Sequence, residues 1–180
     1  MTRDGWIRLA DLGRLLCYPT EGYGGDVGAT VAALAAYDAG AEQAMAAFAA
    51  FVGETPVTGM QEAFTQTFDL NPVCALEVGW QLFGEEYERG GFLVETRDLL
   101  RQHGIDEGSE LPDHLASLLA VLPHLPEEHA RQLATGALVP AVRKMAAAIE
   151  ASASPFCPVI QAIDRLLAVV VAAHPEVSHA

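Results

Sequence analysis

The residue types able to do chemistry are present in this chain, but few are spaced to do it. Six histidines (His103, His114, His124, His129, His174, His179) occur without an HExxH, and E-x-x-H occurs once, at Glu176 and His179. A di-iron bundle needs that motif on two core helices, so neither a metal nor another cofactor is expected. Cys17, Cys74 and Cys157 are far apart and form no CxxC pair. That spacing supports no zinc knuckle or iron–sulfur cradle, and the odd number argues against a disulfide framework. They read as buried, inert thiols. G-x-S-x-G, GxGxxG and GxxxxGK with a following Ser or Thr are all absent, which leaves no activated serine and no phosphate cradle. Glu85-Glu86 and Glu127-Glu128 sit at expected helix starts, where acids complement the helix dipole. One cluster stands apart: Glu110, Asp113 and His114 gather around Pro112. Acids and an imidazole beside a loop, on a rigid element, suit recognition better than catalysis. An enzyme is not expected.

The elements that position this cluster are helical. Apolar residues recur three and four apart, and no useful length alternates. Ile7, Leu9, Leu12, Leu15 and Leu16 form a first helix, stopped at Tyr18-Pro19, and Gly22, Gly24 and Gly25 make a loop. Ala-rich helices follow over 27–37 and 41–52. Pro56 opens a helix with Met60, Phe64 and Phe68 on one face, and Asn71-Pro72 breaks it. A short helix over 76–83 ends at Gly84. The next, over 85–103, turns Phe92, Leu93, Thr96, Leu99 and Leu100 inward, with Arg89 inside the same arc. A guanidinium there is costly to desolvate unless paired, so Arg89 either holds a carboxylate, for which Asp69 is a candidate, or serves a ligand. Gly104 to Gly108 form a hinge. The helix after it opens at Pro112, with Leu111, Leu115, Leu118, Leu119 and Leu122 inward, His114 at the edge of the stripe and Asp113 on the opposite side. A long helix over 127–151 is expected to kink at Pro140. The last carries Val159, Ile160, Ile163, Leu166, Leu167 and Val170 inward. The fold class is all-α: one compact domain of about eight helices over residues 1–173, with a loose tail over 174–180.

With 24 acids against 10 Lys and Arg, the net charge is −14. That excess repels phosphate backbones and disfavours nucleic acid, while it attracts a basic ligand within a screening length of about 8 Å. The apolar runs over 44–52 and 166–173 are shorter than the roughly 18 residues of a membrane span. The start of the chain lacks the pattern of a secretory signal, so the expected location is the cytoplasm, without membrane insertion. An acidic helical surface with loops at helix ends fits a module that captures an amphipathic or basic peptide.

Five segments carry a family resemblance. Leu15-Leu16-Cys17-Tyr18-Pro19 is similar to an LLxYP that closes a first helix. Phe64 to Asp69 resembles an aromatic-xxx-Phe-Asp stretch, and Leu82-Phe83-Gly84 with Glu88-Arg89-Gly90 resembles LxGDxxxRG. Glu110-Leu111-Pro112-Asp113-His114-Leu115 looks like E-x-P-D-H/Y-L, and Ser154 to Val159 like the S/NPY-x-P-L that starts a last helix. Together they resemble the NarJ/TorD/DmsD family of molybdoenzyme maturation chaperones, closest to the nitrate reductase branch. Phe64, Glu85 and Phe156 depart from it, standing where the family often has Tyr, Asp and Tyr. The resemblance implies an all-helical, non-catalytic chaperone, monomeric or homodimeric. Its partner would be the N-terminal or twin-arginine-type leader segment of a molybdoenzyme catalytic subunit, held while the molybdenum cofactor is inserted. It also implies that Glu110, Asp113 and His114 contact that peptide, with Arg89, Asp69 and Tyr18 structural or ligand-facing. The other reading is a helical scaffold subunit that stays in its complex.

Overall fold

Three-and-four spacing of apolar residues becomes helix along nearly the whole chain in a computed structural model that describes residues 2–173. The helices are α1 (Thr2–Arg14), α2 (Tyr23–Ala35), α3 (Ala39–Glu54), α4 (Val57–Phe64), α5 (Val78–Phe83), α6 (Glu88–Gln102), α7 (Leu115–Val121), α8 (Glu127–Leu133), α9 (Val139–Ser152) and α10 (Cys157–Ala172). Among the described residues there is no strand, only an isolated antiparallel bridge between Glu77 and His114. None of these helices is long and apolar enough to cross a membrane. The expected tail over 174–180 lies outside the described residues.

α10 forms the spine. Its Val159, Ile160, Ile163, Leu166, Leu167 and Val170 are all buried, against α1, α3 and α9. Each such side chain contributes roughly 1.5–3 kcal/mol when fully removed from water. α1 adds Trp6, Leu9 and Leu12 and also packs on α7. Phe156, at the start of α10, gathers Phe48, Phe64 and Phe68 with ring centroids 5.2, 5.6 and 5.3 Å away. These aromatics tie the core to the rim described below.

Several boundaries differ from the sequence reading, each for a physical reason. α2 begins at Tyr23 and runs through Gly24 and Gly25, because the buried Tyr23 donates from Oη to the Leu15 carbonyl at 2.6 Å and anchors that end. α6 starts at Glu88 instead of Glu85, after Gly84 adopts φ +58° and turns the chain, a backbone conformation that glycine adopts without strain. Only Thr96 and Leu100 of α6 are buried; Phe92, Leu93 and Leu99 are half-buried, which makes α6 a peripheral helix. Two helices contain a wide turn that periodicity does not reveal. α4 continues into a π-helical turn at Thr65–Asp69, and α8 joins α9 through another at Ala134–Leu138. The second lies just before Pro140, whose ring and missing N–H disturb the preceding turn. The expected kink is therefore a π turn.

The helix expected to open at Pro112 opens at Leu115. Pro112 and Asp113 lie in a turn ahead of it, and Leu111 leaves the apolar stripe for the surface, 42% exposed. The buried cysteine expected at position 17 is exposed, Cys157 is partly so, and only Cys74 is buried.

Candidate functional site

Two distant segments of chain are bolted together at the Pro112 turn. The Val78 N–H donates to the Asp113 carbonyl at 2.9 Å, and the Leu115 N–H to the Leu76 carbonyl at 2.9 Å. The Asp113 side chain completes the junction: its Oδ2 accepts the Gly79 N–H at 2.9 Å. Val78 and Gly79 are the first residues of α5, whose N–H groups have no partner within the helix. Asp113 therefore caps α5 through Gly79, 34 residues earlier in the sequence. A Cβ at position 79 would stand 2.7 Å from Asp113 Oδ2 and 3.0 Å from Phe92 Cδ1. The close approach requires glycine.

This geometry corrects the expected orientation of Asp113. It does not project to solvent; it is 0% exposed, and its Oδ1 is buried without a hydrogen bond. Burial pushes its carboxyl above the usual range, opposed by the Gly79 N–H and by Arg89. His114 is buried as well, 5% exposed, and caps α7 by accepting the Ala116 N–H on Nδ1 at 3.3 Å. With Nδ1 as acceptor, the proton of the neutral imidazole sits on Nε2. Burial lowers the His114 pKa, while Glu110, Glu77 and Asp69 oppose that shift.

In front of the junction lies a groove of about 1000 Å³. Tyr18, Phe64, Phe68 and Trp80 give it an aromatic lining. Tyr18 is half exposed and stands edge-on to Phe64 at 5.6 Å. Asp69, Glu77, Asp106, Glu107 and Glu110 supply carboxylates. Glu107 is engaged by Arg97 Nε at 3.0 Å, and Asp106 accepts the Gly108 N–H at 3.1 Å. Asp69, Glu77 and Glu110 form no salt bridge among the described residues.

Among the described residues, Arg89 is the only arginine or lysine that lines the groove, and it does not pair with Asp69. No carboxylate of the described residues forms a salt bridge with it. Its guanidinium lies over the Trp80 ring, 5.4 Å from the centroid, and its Nε is buried without a hydrogen bond. Stacking on this half-buried indole contributes about 0.5–2 kcal/mol, which accounts for an arginine in an otherwise apolar arc. Of the six residues singled out from the sequence, the structure brings Tyr18, Asp69, Arg89, Glu110 and His114 to the groove and sets Asp113 behind its wall.

Sequence reasoning missed Glu77, Gly79 and Trp80. A glycine inside a short apolar helix pattern, as in Val78-Gly79-Trp80, signals a close backbone approach, but it does not name the partner. The π turn at Thr65–Asp69 is equally silent in the sequence, although it sets where Phe68 and Asp69 reach the groove. Chemically the groove suits a segment that carries both apolar and cationic groups. Its aromatic faces take the first and its unpaired carboxylates the second. Among the described residues, no group of three or more His, Cys, Asp and Glu is placed to hold a metal ion.

Residues 34–162 match the model of a family described as the nitrate reductase delta subunit, and a comparison with curated proteins gives no match. The matched span runs from the end of α2 into α10 and includes the Glu110–Leu115 turn, all of α5 and α6, and the groove residues other than those of the α1 end. It exceeds half of the chain, so this protein belongs to the nitrate reductase delta subunit family, of NarJ/TorD type, whose members are assembly chaperones of molybdoenzymes and not catalysts.

Proposed function

We propose that the groove holds the N-terminal segment of an immature molybdoenzyme catalytic subunit, of nitrate reductase type. The chaperone keeps that subunit open to insertion of the molybdenum cofactor and delays its export or membrane docking, working in the cytoplasm. The observation that carries this reading is the pairing of aromatic lining with unpaired carboxylates in one groove. A leader peptide has the matching chemistry, with arginines beside an apolar run. Glu110, Glu77 and Asp69 take the basic side chains, His114 borders them, and Tyr18, Phe64 and Trp80 take the apolar ones. Exposed ion pairs contribute only about 0.2–1 kcal/mol each, so the apolar contacts supply most of the affinity.

Calorimetric titration with a synthetic peptide that carries two consecutive arginines and an apolar run tests this reading. Saturable binding is expected, weakened by Trp80→Ala and by replacing the arginines with glutamine. Absence of binding, or binding indifferent to both changes, overturns it. Co-purification adds the cellular arm. A chaperone is recovered with the cofactor-free enzyme and leaves the loaded one, whereas a scaffold subunit stays at fixed stoichiometry.

A further inference from the structure

We infer that Asp113 acts on the groove from behind, as a positioning residue: without touching the bound segment, it uses two acceptor oxygens to fix the first turn of α5 and so sets where Trp80 and Arg89 stand. The functional half of this statement rests on the groove being the client site, as proposed above.

The argument starts from access. A side chain with no exposed surface, absent from the groove lining, has no path to a peptide. Its two bonded oxygens are both spent on α5, the main-chain oxygen on the Val78 N–H and Oδ2 on the Gly79 N–H. α5 is six residues long, too short to hold its shape unaided. Trp80 follows Gly79 directly and carries Arg89 on its face, so a loosened first turn moves both groove residues together. Arg89 also lies beside Gly79, its Cγ 3.4 Å from where a Cβ at position 79 would stand. Movement of that backbone is felt by both partners of the stack.

What the junction uses is an acceptor atom, and charge adds little. Oδ1 has no hydrogen-bond partner, and burial disfavours the ionised carboxyl. An asparagine presents the same acceptor to Gly79 and places its amide where Oδ1 stood. A residue that paired with a client arginine would behave differently, because removing the charge would remove the interaction.

The test compares wild type, Asp113→Asn and Asp113→Ala in the full chain. Amide hydrogen exchange at Val78 and Gly79 reads the junction without any client, and core amides of α10 report whether each variant is folded. Asp113→Asn is expected to keep the protection of both amides. Asp113→Ala keeps the main-chain acceptor of Val78 and loses only Oδ2, so it should speed exchange at Gly79 by about tenfold, the loss of roughly one hydrogen bond, while α10 stays protected. Equal protection in all three proteins overturns the inference. In parallel, each variant is titrated with the arginine-bearing peptide. Affinity retained in Asp113→Asn and lowered in Asp113→Ala supports positioning. An equal loss in both, with α10 protected, shows a direct charge contact and overturns it. If wild type binds no such peptide, the client reading falls, and the exchange result alone decides whether Asp113 fixes α5.

Discussion

Two aspartates perform one task on different helices, with opposite consequences. Asp38 caps α3 from the position just before it, accepting the Ala41 N–H on Oδ1 at 2.7 Å, and it meets Arg165 Nε at 2.8 Å. Arg165 holds the Asp38 carboxyl below its usual range. Asp113 caps α5 from another segment, sees Arg89 only at a distance, and is pushed above the usual range by burial. The first cap is local, wet and ion-paired. The second is long-range, dry and lacks an ion pair. The contrast shows what the groove required: a rigid wall without a cation spent on it, so that Arg89 stays on Trp80.

Adding one methyl group at each cap tests the contrast with the largest effect. Each helix has a glycine near its cap, and a Cβ at either position meets the capping apparatus. At Gly79 the obstacle is Asp113 Oδ2, held by its hydrogen bond, together with the Phe92 ring. Neither yields easily, so Gly79→Ala should cost about 1–3 kcal/mol, as overpacking in a tight site does. At Gly40 the obstacle is the guanidinium of Arg165, half exposed at the end of a flexible side chain. That group swings away, and alanine's better helix propensity offsets the lost exposed ion pair. Denaturant unfolding should therefore show a large destabilisation for Gly79→Ala and little for Gly40→Ala. Equal effects would mean that the α5 junction is as yielding as the surface.

The same pair explains what the sequence discloses. Asp38 stands just before an Ala-rich run, and its partner is three residues away, so the cap falls within the reach of helix-start rules. Glu110, Asp113 and His114 could be selected by type, and Glu110 and His114 do reach the groove. The orientation of Asp113 could not be read, because it depends on a segment 34 residues away. Periodicity found the all-α class and the buried face of α10, since burial there repeats at helical spacing. It failed where a tertiary contact outweighs local preference, as at Tyr23, at Leu111 and in the two π turns. Arg89 was correctly placed inside an apolar arc, yet its partner proved to be an indole and not Asp69.

A smaller effect is expected at the local cap. Asp38→Ala removes the acceptor for Ala41 and should destabilise by about 1 kcal/mol, the usual range for an N-cap. Asp38→Asn keeps the acceptor and loses only the exposed pair with Arg165, so it should be less destabilised than Asp38→Ala. Chemical denaturation of the two variants, compared with wild type, separates cap from ion pair. An Asn variant as unstable as the Ala variant would assign the stabilisation to charge and erase the parallel with Asp113.

Acidification separates the two aspartates by sign. Burial lowers the His114 pKa from 6.5, so below that value the unfolded chain binds a proton that the folded one refuses. Stability from this residue is complete above pH 6.5 and is lost as pH falls toward the depressed folded value. Glu110, Glu77 and Asp69, from three different segments around His114, limit the size of the shift. Asp113 has the opposite slope: its raised carboxyl destabilises the fold as pH climbs from 3.8 through the folded value. Asp38, with its lowered carboxyl, stabilises above 3.8 and loses that contribution as pH falls further. His114→Asn retains a capping oxygen for Ala116 and should flatten the decline just below pH 6.5 in a series of unfolding curves. An unchanged decline would place the titrating group elsewhere.

The smallest effect, and the one nearest to function, concerns the rim. Glu110 is exposed, and its Oε1 accepts only the Ser109 Oγ–H at 3.3 Å. It forms no salt bridge among the described residues, so above pH 6.5, where His114 is neutral, Glu110→Gln should leave unfolding curves within about 0.5 kcal/mol of wild type. In a groove that takes basic side chains, the same change should weaken an arginine-bearing peptide by about 0.2–1 kcal/mol. Because such pairs are screened beyond about 8 Å at physiological ionic strength, the difference between variant and wild type should shrink as salt is added. Asp113 offers the control: buried behind the wall, its neutral Asn variant should show no such salt dependence relative to wild type. Matching salt dependence at positions 110 and 113 would put both carboxylates in front of the client and remove the distinction between rim and wall.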